Sequence, residues 1–225
     1  MKTKYIVVLL AFHICLPLVA QDTCNAYYPF EEGAQFEITN FNKKGKKEGH
    51  VSYKVTNIDN HVATLETQIF DAKGKEITTT EYDVTCEGNS ISIDFKSLMS
   101  PELFKQYKDM DVDMTGTNIE FPKDLEIGQT LNDANMNMAI NMSGMKMTMT
   151  INMVDRKVDT KESITTPAGT FDCYILSYTS EMKMGMTHTF SIKEWVSEGI
   201  GMVKNETYNK KGNLISYSEL TKFSK

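Results

Sequence analysis

Residues 136–153 hold the densest set of chemically capable side chains in the chain: Met-Asn-Met-Ala-Ile-Asn-Met-Ser-Gly-Met-Lys-Met-Thr-Met-Thr-Ile-Asn-Met. A thioether is soft, unbranched and polarizable. Several on one surface suit three uses. They can fill a core, they can form an adaptable apolar wall around a small molecule, or they can ligate a soft cation such as Cu(I). A two-residue turn at Ser143-Gly144 sets the geometry. Met142 then faces Met145, Ile140 faces Met147, Met138 faces Met149 and Met136 faces Ile151. Directly paired residues of a hairpin share a face, and faces alternate with period two. One face therefore collects Met136, Met138, Ile140, Met142, Met145, Met147, Met149, Ile151 and Met153, and the other collects Asn, Thr and Lys. A one-residue slip mixes the two faces, so the register is strongly specified. Met182, Met184 and Met186 repeat the alternation and extend the candidate ligand-binding surface. A ribbon of residues is a poor cage for an ion, and only His188 stands near it, so we assign no metal or cofactor.

Other chemistry is sparse. His50, His61 and His188 are far apart in sequence and lack metal-type spacing. No Gly-x-Ser-x-Gly elbow, phosphate loop or His-Glu-x-x-His pattern occurs. Asp109, Asp111 and Asp113 read as an exposed acidic loop, because the glycine and closing glutamate of a calcium loop are missing. The sequence points away from an enzyme and names no catalytic residue.

The compartment is read from the first twenty residues. Lys2 and Lys4 precede an apolar run from Tyr5 to Leu18, and Ala20 suits a cleavage site before Gln21-Asp22. This is the layout of a secretory signal peptide. Residues 1–20 are thus expected to be removed, leaving 21–225 as one domain with no transmembrane segment, exported to the periplasm or beyond. Cys24, Cys86 and Cys173 remain. Export permits disulfides, and three cysteines allow one internal pair. Cys24 with Cys86 is the expected pair, and Cys173, among Phe171, Tyr174 and Ile175, is expected to be a buried thiol. The chain has a formal net charge of −6, and Arg156 is its one arginine. That balance argues against a nucleic-acid partner, since phosphate binding needs a positive footprint.

Alternation of apolar and polar residues dominates elsewhere, and strands are expected across the chain from Gln35–Phe41 to Leu214–Leu220. Three connections share one design: Phe41-Asn-Lys-Lys-Gly45-Lys46, Phe70-Asp-Ala-Lys-Gly74-Lys75 and Tyr208-Asn-Lys-Lys-Gly212-Asn213. Asn or Asp opens a turn, and Gly takes the left-handed position that closes a bulged hairpin. One short helix is expected at 101–109. Ser100 caps it, Pro101 suits its first position, and Leu103, Phe104, Tyr107 and Met110 share a face.

The segments Thr165-Thr-Pro-Ala-Gly-Thr-Phe-Asp-Cys173-Tyr174, Glu194-Trp195-Val196 and Gly199-Ile-Gly-Met-Val-Lys-Asn-Glu206 resemble the TapB-like exported proteins of Gram-negative bacteria, a domain of unknown function. The opening Cys24-x-x-Tyr27-Tyr28-Pro29-Phe30-x-x-Gly33 fits the same group. The resemblance implies an exported β-rich fold with a curved sheet similar to periplasmic lipoprotein carriers. It carries over no catalytic residues.

The expected fold is a curled antiparallel meander, half-open or closed into a barrel, with the short helix covering one opening. A β-sandwich is the alternative. The expected function is non-enzymatic binding of a lipid or other apolar molecule. A structural module with an envelope protein partner is the second reading, and a methionine-rich Cu(I) binder the third.

Overall fold

The computed structural model describes residues 27–225 apart from 101–102, 104–105, 108–109 and 143–144. The signal-peptide reading, Cys24 and the Ser143-Gly144 turn lie outside the described residues. Among the described residues, thirteen strands form one antiparallel sheet. They are β1 (Gln35–Asn42), β2 (Lys47–Asp59), β3 (Val62–Asp71), β4 (Glu76–Glu87), β5 (Ser90–Ile93), β6 (Asp111–Thr117), β7 (Ile119–Pro122), β8 (Ala134–Met142), β9 (Met145–Thr166), β10 (Gly169–Met184), β11 (Met186–Ser197), β12 (Gly201–Tyr208) and β13 (Leu214–Ser224). Their order is β6-β8-β9-β10-β11-β12-β13-β1-β2-β3-β4-β5-β7.

A sheet this wide accumulates twist until it curls, and here it curls into a nearly closed barrel. The two end strands, β6 and β7, are separated by the single residue Asn118, so one continuous stretch carries both ends of the sheet. Its first half pairs with β8 and its second half with β5. Asn118 holds this seam. Its side-chain amide donates to Ser92 Oγ at 3.0 Å, and its carbonyl oxygen accepts from the Phe95 amide at 3.1 Å.

The three matching turns form as their residues dictate. Asn42, Asp71 and Asn209 each accept two backbone N–H bonds from their own turn through Oδ1, at 2.8–3.2 Å. Gly45, Gly74 and Gly212 have φ of 75°, 79° and 74°, the left-handed region that costs glycine nothing.

Three expectations need correction. The acidic stretch at Asp111 and Asp113 is strand, not loop. It alternates, with Val112 and Met114 packed against buried residues while Asp111 and Asp113 are exposed. Residues 145–154 and 157–165, whose alternation reads as two separate strands, are one long strand whose pairing with β10 shifts at two points. The covering segment also begins earlier than expected. The helical element with defined bounds is a 3₁₀ turn at Phe95–Leu98, capped by Asp94, whose side chain accepts from the Lys96 amide. Most of 101–109 lies outside the described residues, but Leu103, Gln106 and Tyr107 are helical, and the Leu103 amide donates to Ser100 Oγ at 3.3 Å.

Two apolar clusters fill the interior. The larger joins β1–β5, β7–β13 and the entering segment at Tyr27 and Tyr28. The smaller lies between the β8–β9 hairpin and the 95–110 segment. Cys173 is a buried free thiol, and burial pushes its pKa up to about 12. Among the described residues no helix is long and apolar enough to cross a membrane.

Candidate functional site

The barrel encloses a cavity of about 550 Å³. Strand alternation builds its wall. Phe36 and Ile38 of β1, Val51 and Tyr53 of β2, and Leu176 and Ile192 of β10 and β11 all point into it. Half-exposed Asn40, Phe41, Ser216 and Tyr217 line it near the β1–β2 and β12–β13 turns, so the cavity meets solvent at that end of the barrel.

One patch of the wall is polar. Along β9 the inward residues are Met149, Ile151 and Met153, and then the parity changes to Arg156 and Val158. The change is made by a β-bulge. Asp155 takes φ 56°, and the pairing with β10 shifts between Ser177 and Thr179. An extra residue in one strand turns the next side chain to the other face, and here it turns the chain's one arginine inward. Arg156 is 2 % exposed. Its Nη1 donates to the carbonyls of Glu120 at 3.1 Å and Asn132 at 2.6 Å, and its guanidinium lies 5.0 Å from the centre of the Phe121 ring. These contacts tie β9 to β7 across the seam of the barrel.

Tyr178, Glu194 and Asn205 complete the patch on β10, β11 and β12. The Tyr178 hydroxyl donates to Glu194 Oε2 at 2.9 Å. Burial raises the Glu194 pKa above the ordinary carboxylate value, and Tyr178, the Arg156 charge and Asn205 offset this only in part. Burial likewise holds the Tyr178 hydroxyl well above its usual pKa. A second polar pair, the hydrogen-bonded hydroxyls of Tyr28 and Tyr82, lies elsewhere in the wall. The site is therefore an apolar chamber with a fixed cation, a carboxyl group and hydroxyls at defined points, which suits binding an apolar molecule that carries a polar end.

The methionine hairpin has the register its alternation specifies: Met142 opposite Met145, Ile140 opposite Met147, Met138 opposite Met149 and Met136 opposite Ile151. Its residues do not all meet the cavity. Ile151 and Met153 line it. Met136, Met138, Ile140 and Met149, each at most 1 % exposed, are packed instead in the smaller cluster with Met99, Leu103 and Tyr107. Met147 and Met182 pack at the edge of that cluster. Met184 and Met186 are 38 % and 73 % exposed at the β10–β11 turn, where the Tyr107 hydroxyl donates to Met184 Sδ at 3.1 Å. The side chains of Met142 and Met145 lie outside the described residues. Conversely, Met99 and Met202, which the alternation argument did not select, line the cavity.

The histidines are dispersed. His50 stacks on Phe70 with ring centres 4.5 Å apart, His61 sits in the β2–β3 turn at φ 74°, and His188 is exposed on β11. Sequence reasoning passed over Arg156, Tyr178, Glu194 and Asn205 as site residues. A signal for Arg156 was present, since Met153 and Val158 cannot both face inward on an uninterrupted strand.

The chain matches the DUF3108-like family over residues 31–220. No curated protein matches it. Two solved structures share its fold. A protein of Bacteroides fragilis NCTC 9343, assigned as exported and as having a YmcC-like fold, is 24% identical with a TM-score of 0.77, covering 90% of this chain and 100% of that one. A protein of Parabacteroides distasonis ATCC 8503, assigned as a lipoprotein, is 22% identical with a TM-score of 0.74, covering 89% of this chain and 99% of that one.

Proposed function

We propose that this chain, which belongs to the DUF3108-like family, is an exported, non-enzymatic binder of a lipid or other apolar molecule, held inside the barrel. The observation that carries the reading is the cavity itself. About 550 Å³ with mainly apolar walls lies within the range of small-molecule sites. Burial of an acyl-like group against Phe36, Ile38, Leu176, Ile192, Ile151 and Met153 supplies the driving force through the hydrophobic effect. Arg156, Tyr178 and Glu194 supply the polar end of the site. The two structural neighbours are assigned as an exported protein and a lipoprotein, which agrees with the export signal read in residues 1–20.

The burial of Met136, Met138, Ile140 and Met149 supports core filling as the role of most of the hairpin, leaving ligand contact to its base. Ser180 provides the test, because it lines the cavity and its side chain is small. Ser180→Trp fills that space. Wild type is expected to bind a fluorescent polyene fatty acid saturably, and the folded variant to lose at least about tenfold in affinity, the order set by one displaced apolar contact surface. Equal affinity in a variant with an unchanged circular dichroism spectrum would sink the reading.

A further inference from the structure

Sheet order and turn sequence together produce a surface that neither shows alone. The β10–β11, β12–β13, β1–β2 and β3–β4 turns join eight consecutive strands of the sheet, and all four lie at the same end of the barrel. They are neighbours, and the Lys43 amide donates to the Ile215 carbonyl at 3.1 Å, binding one turn to the next strand. The β1–β2 turn carries Lys43, Lys44, Lys46 and Lys47, the β3–β4 turn Lys73 and Lys75, and the β12–β13 turn Lys210 and Lys211. All but Lys47 are exposed. The β10–β11 turn adds exposed Lys183 beside Met184 and Met186, the latter 73 % exposed. The acids nearest in sequence are Asp71, which accepts bonds within its own turn, and Glu48, Glu76 and Glu181.

The opposite end is its inverse. The chain before β1 and the β2–β3, β4–β5 and β11–β12 turns present exposed Glu31, Glu32, Asp59, Glu87 and Glu198. A chain with a net charge of −6 has thus gathered nine of its lysines on one contiguous rim. This is also the rim beside which Asn40, Phe41, Ser216 and Tyr217 open the cavity to solvent.

We propose that this lysine-rich rim, with Met184 and Met186 at its edge, docks the barrel onto an anionic lipid surface with the cavity mouth facing the membrane. Lysines near such a surface each add attraction that falls off within a Debye length. Exposed apolar side chains among them insert at the headgroup boundary, as basic amphipathic surfaces do. The charge asymmetry orients the molecule, since the acidic end is repelled.

The proposal goes beyond the cavity reading and stands or falls separately. Protein purified after export is floated with vesicles of phosphatidylglycerol and phosphatidylethanolamine, and with vesicles of phosphatidylcholine alone. Wild type is expected to float with the anionic vesicles only, and to be released as salt is raised. A rim variant, K43Q/K44Q/K210Q/K211Q, is expected to bind more than about tenfold less well. A wall variant with the same charge loss, K54Q/K157Q/K161Q/K193Q, is expected to keep most of the binding. Indifference of the wild type to anionic vesicles overturns the proposal and leaves an acidic protein face as the occupant of the rim. Equal loss in the two variants also overturns it, because net charge rather than the rim then governs binding. Fatty-acid binding by the rim variant is read alongside. If vesicle binding persists while no form of the protein takes the fatty acid, the cavity reading fails and this one stands.

Discussion

Glu194 shows how one buried group couples the site to folding. Its pKa in the folded barrel is raised by burial, against the partial opposition of Tyr178, Arg156 and Asn205. Below the unfolded value of 4.5 both states are protonated, and the group does not penalise folding. As pH rises through 4.5 toward the higher folded value, the unfolded chain releases its proton first, so stability is lost across that window. Glu194→Gln keeps an acceptor for the Tyr178 hydroxyl and removes the titration. The variant's melting temperature relative to wild type is expected to rise between pH 4 and pH 7. A constant difference across that range would show that Glu194 ionises without cost. Arg156 is the charge opposite it, and its position is a lesson in what sequence reveals. The parity of Met153 and Val158 requires a bulge between them, so the inward turn of Arg156 was legible. Its partners were not, because the Glu120 and Asn132 carbonyls reach it only after the sheet has curled.

Among the elements, the β8–β9 hairpin was the most legible and its surroundings the least. Period-two alternation fixes register and face, because a slip of one residue exposes every apolar side chain. Neither property says what covers the apolar face. That is decided by the 95–110 segment, whose Met99, Leu103 and Tyr107 close over Met136, Met138 and Met149 and separate them from the cavity. Burial of this kind has a measurable consequence. Met138 is 1 % exposed, so Met138→Ala is expected to cost about 2–5 kcal/mol in urea denaturation, while leaving fatty-acid affinity unchanged in the folded protein. Met186, 73 % exposed, serves as the contrast, with an expected cost within about 0.5 kcal/mol. Loss of ligand affinity in folded Met138→Ala would return the methionine face to the binding site. The acidic strand β6 was misread for a related reason. Asp111 and Asp113 suggested a loop, but charges alternate outward there as on any strand with one wet face.

For the whole molecule, the repeated turns made a meander legible, and the width of the sheet made curling so. Closure was not legible. It depends on β6 and β7 being one stretch that pairs with β8 on one side and β5 on the other, and on Arg156 and Asn118 holding that seam. The same topology sends four lysine-bearing or methionine-bearing turns to one rim, so a global dipole arises from local turn chemistry. Cavity, polar patch and basic rim then form one arrangement: an apolar chamber whose mouth is bordered by cations in an otherwise acidic protein.

The central claim is that the chamber holds an apolar molecule. A native mass spectrum of the protein, purified gently from its own envelope after export, tests it directly. The account predicts a mass above that of residues 21–225 by an increment of lipid size, released on denaturation. The denatured mass is expected to be two hydrogens below the fully reduced chain, from a disulfide between Cys24 and Cys86. A native mass equal to the bare polypeptide, from protein that also fails to take up added fatty acid, would contradict the account and leave the barrel as an interaction module.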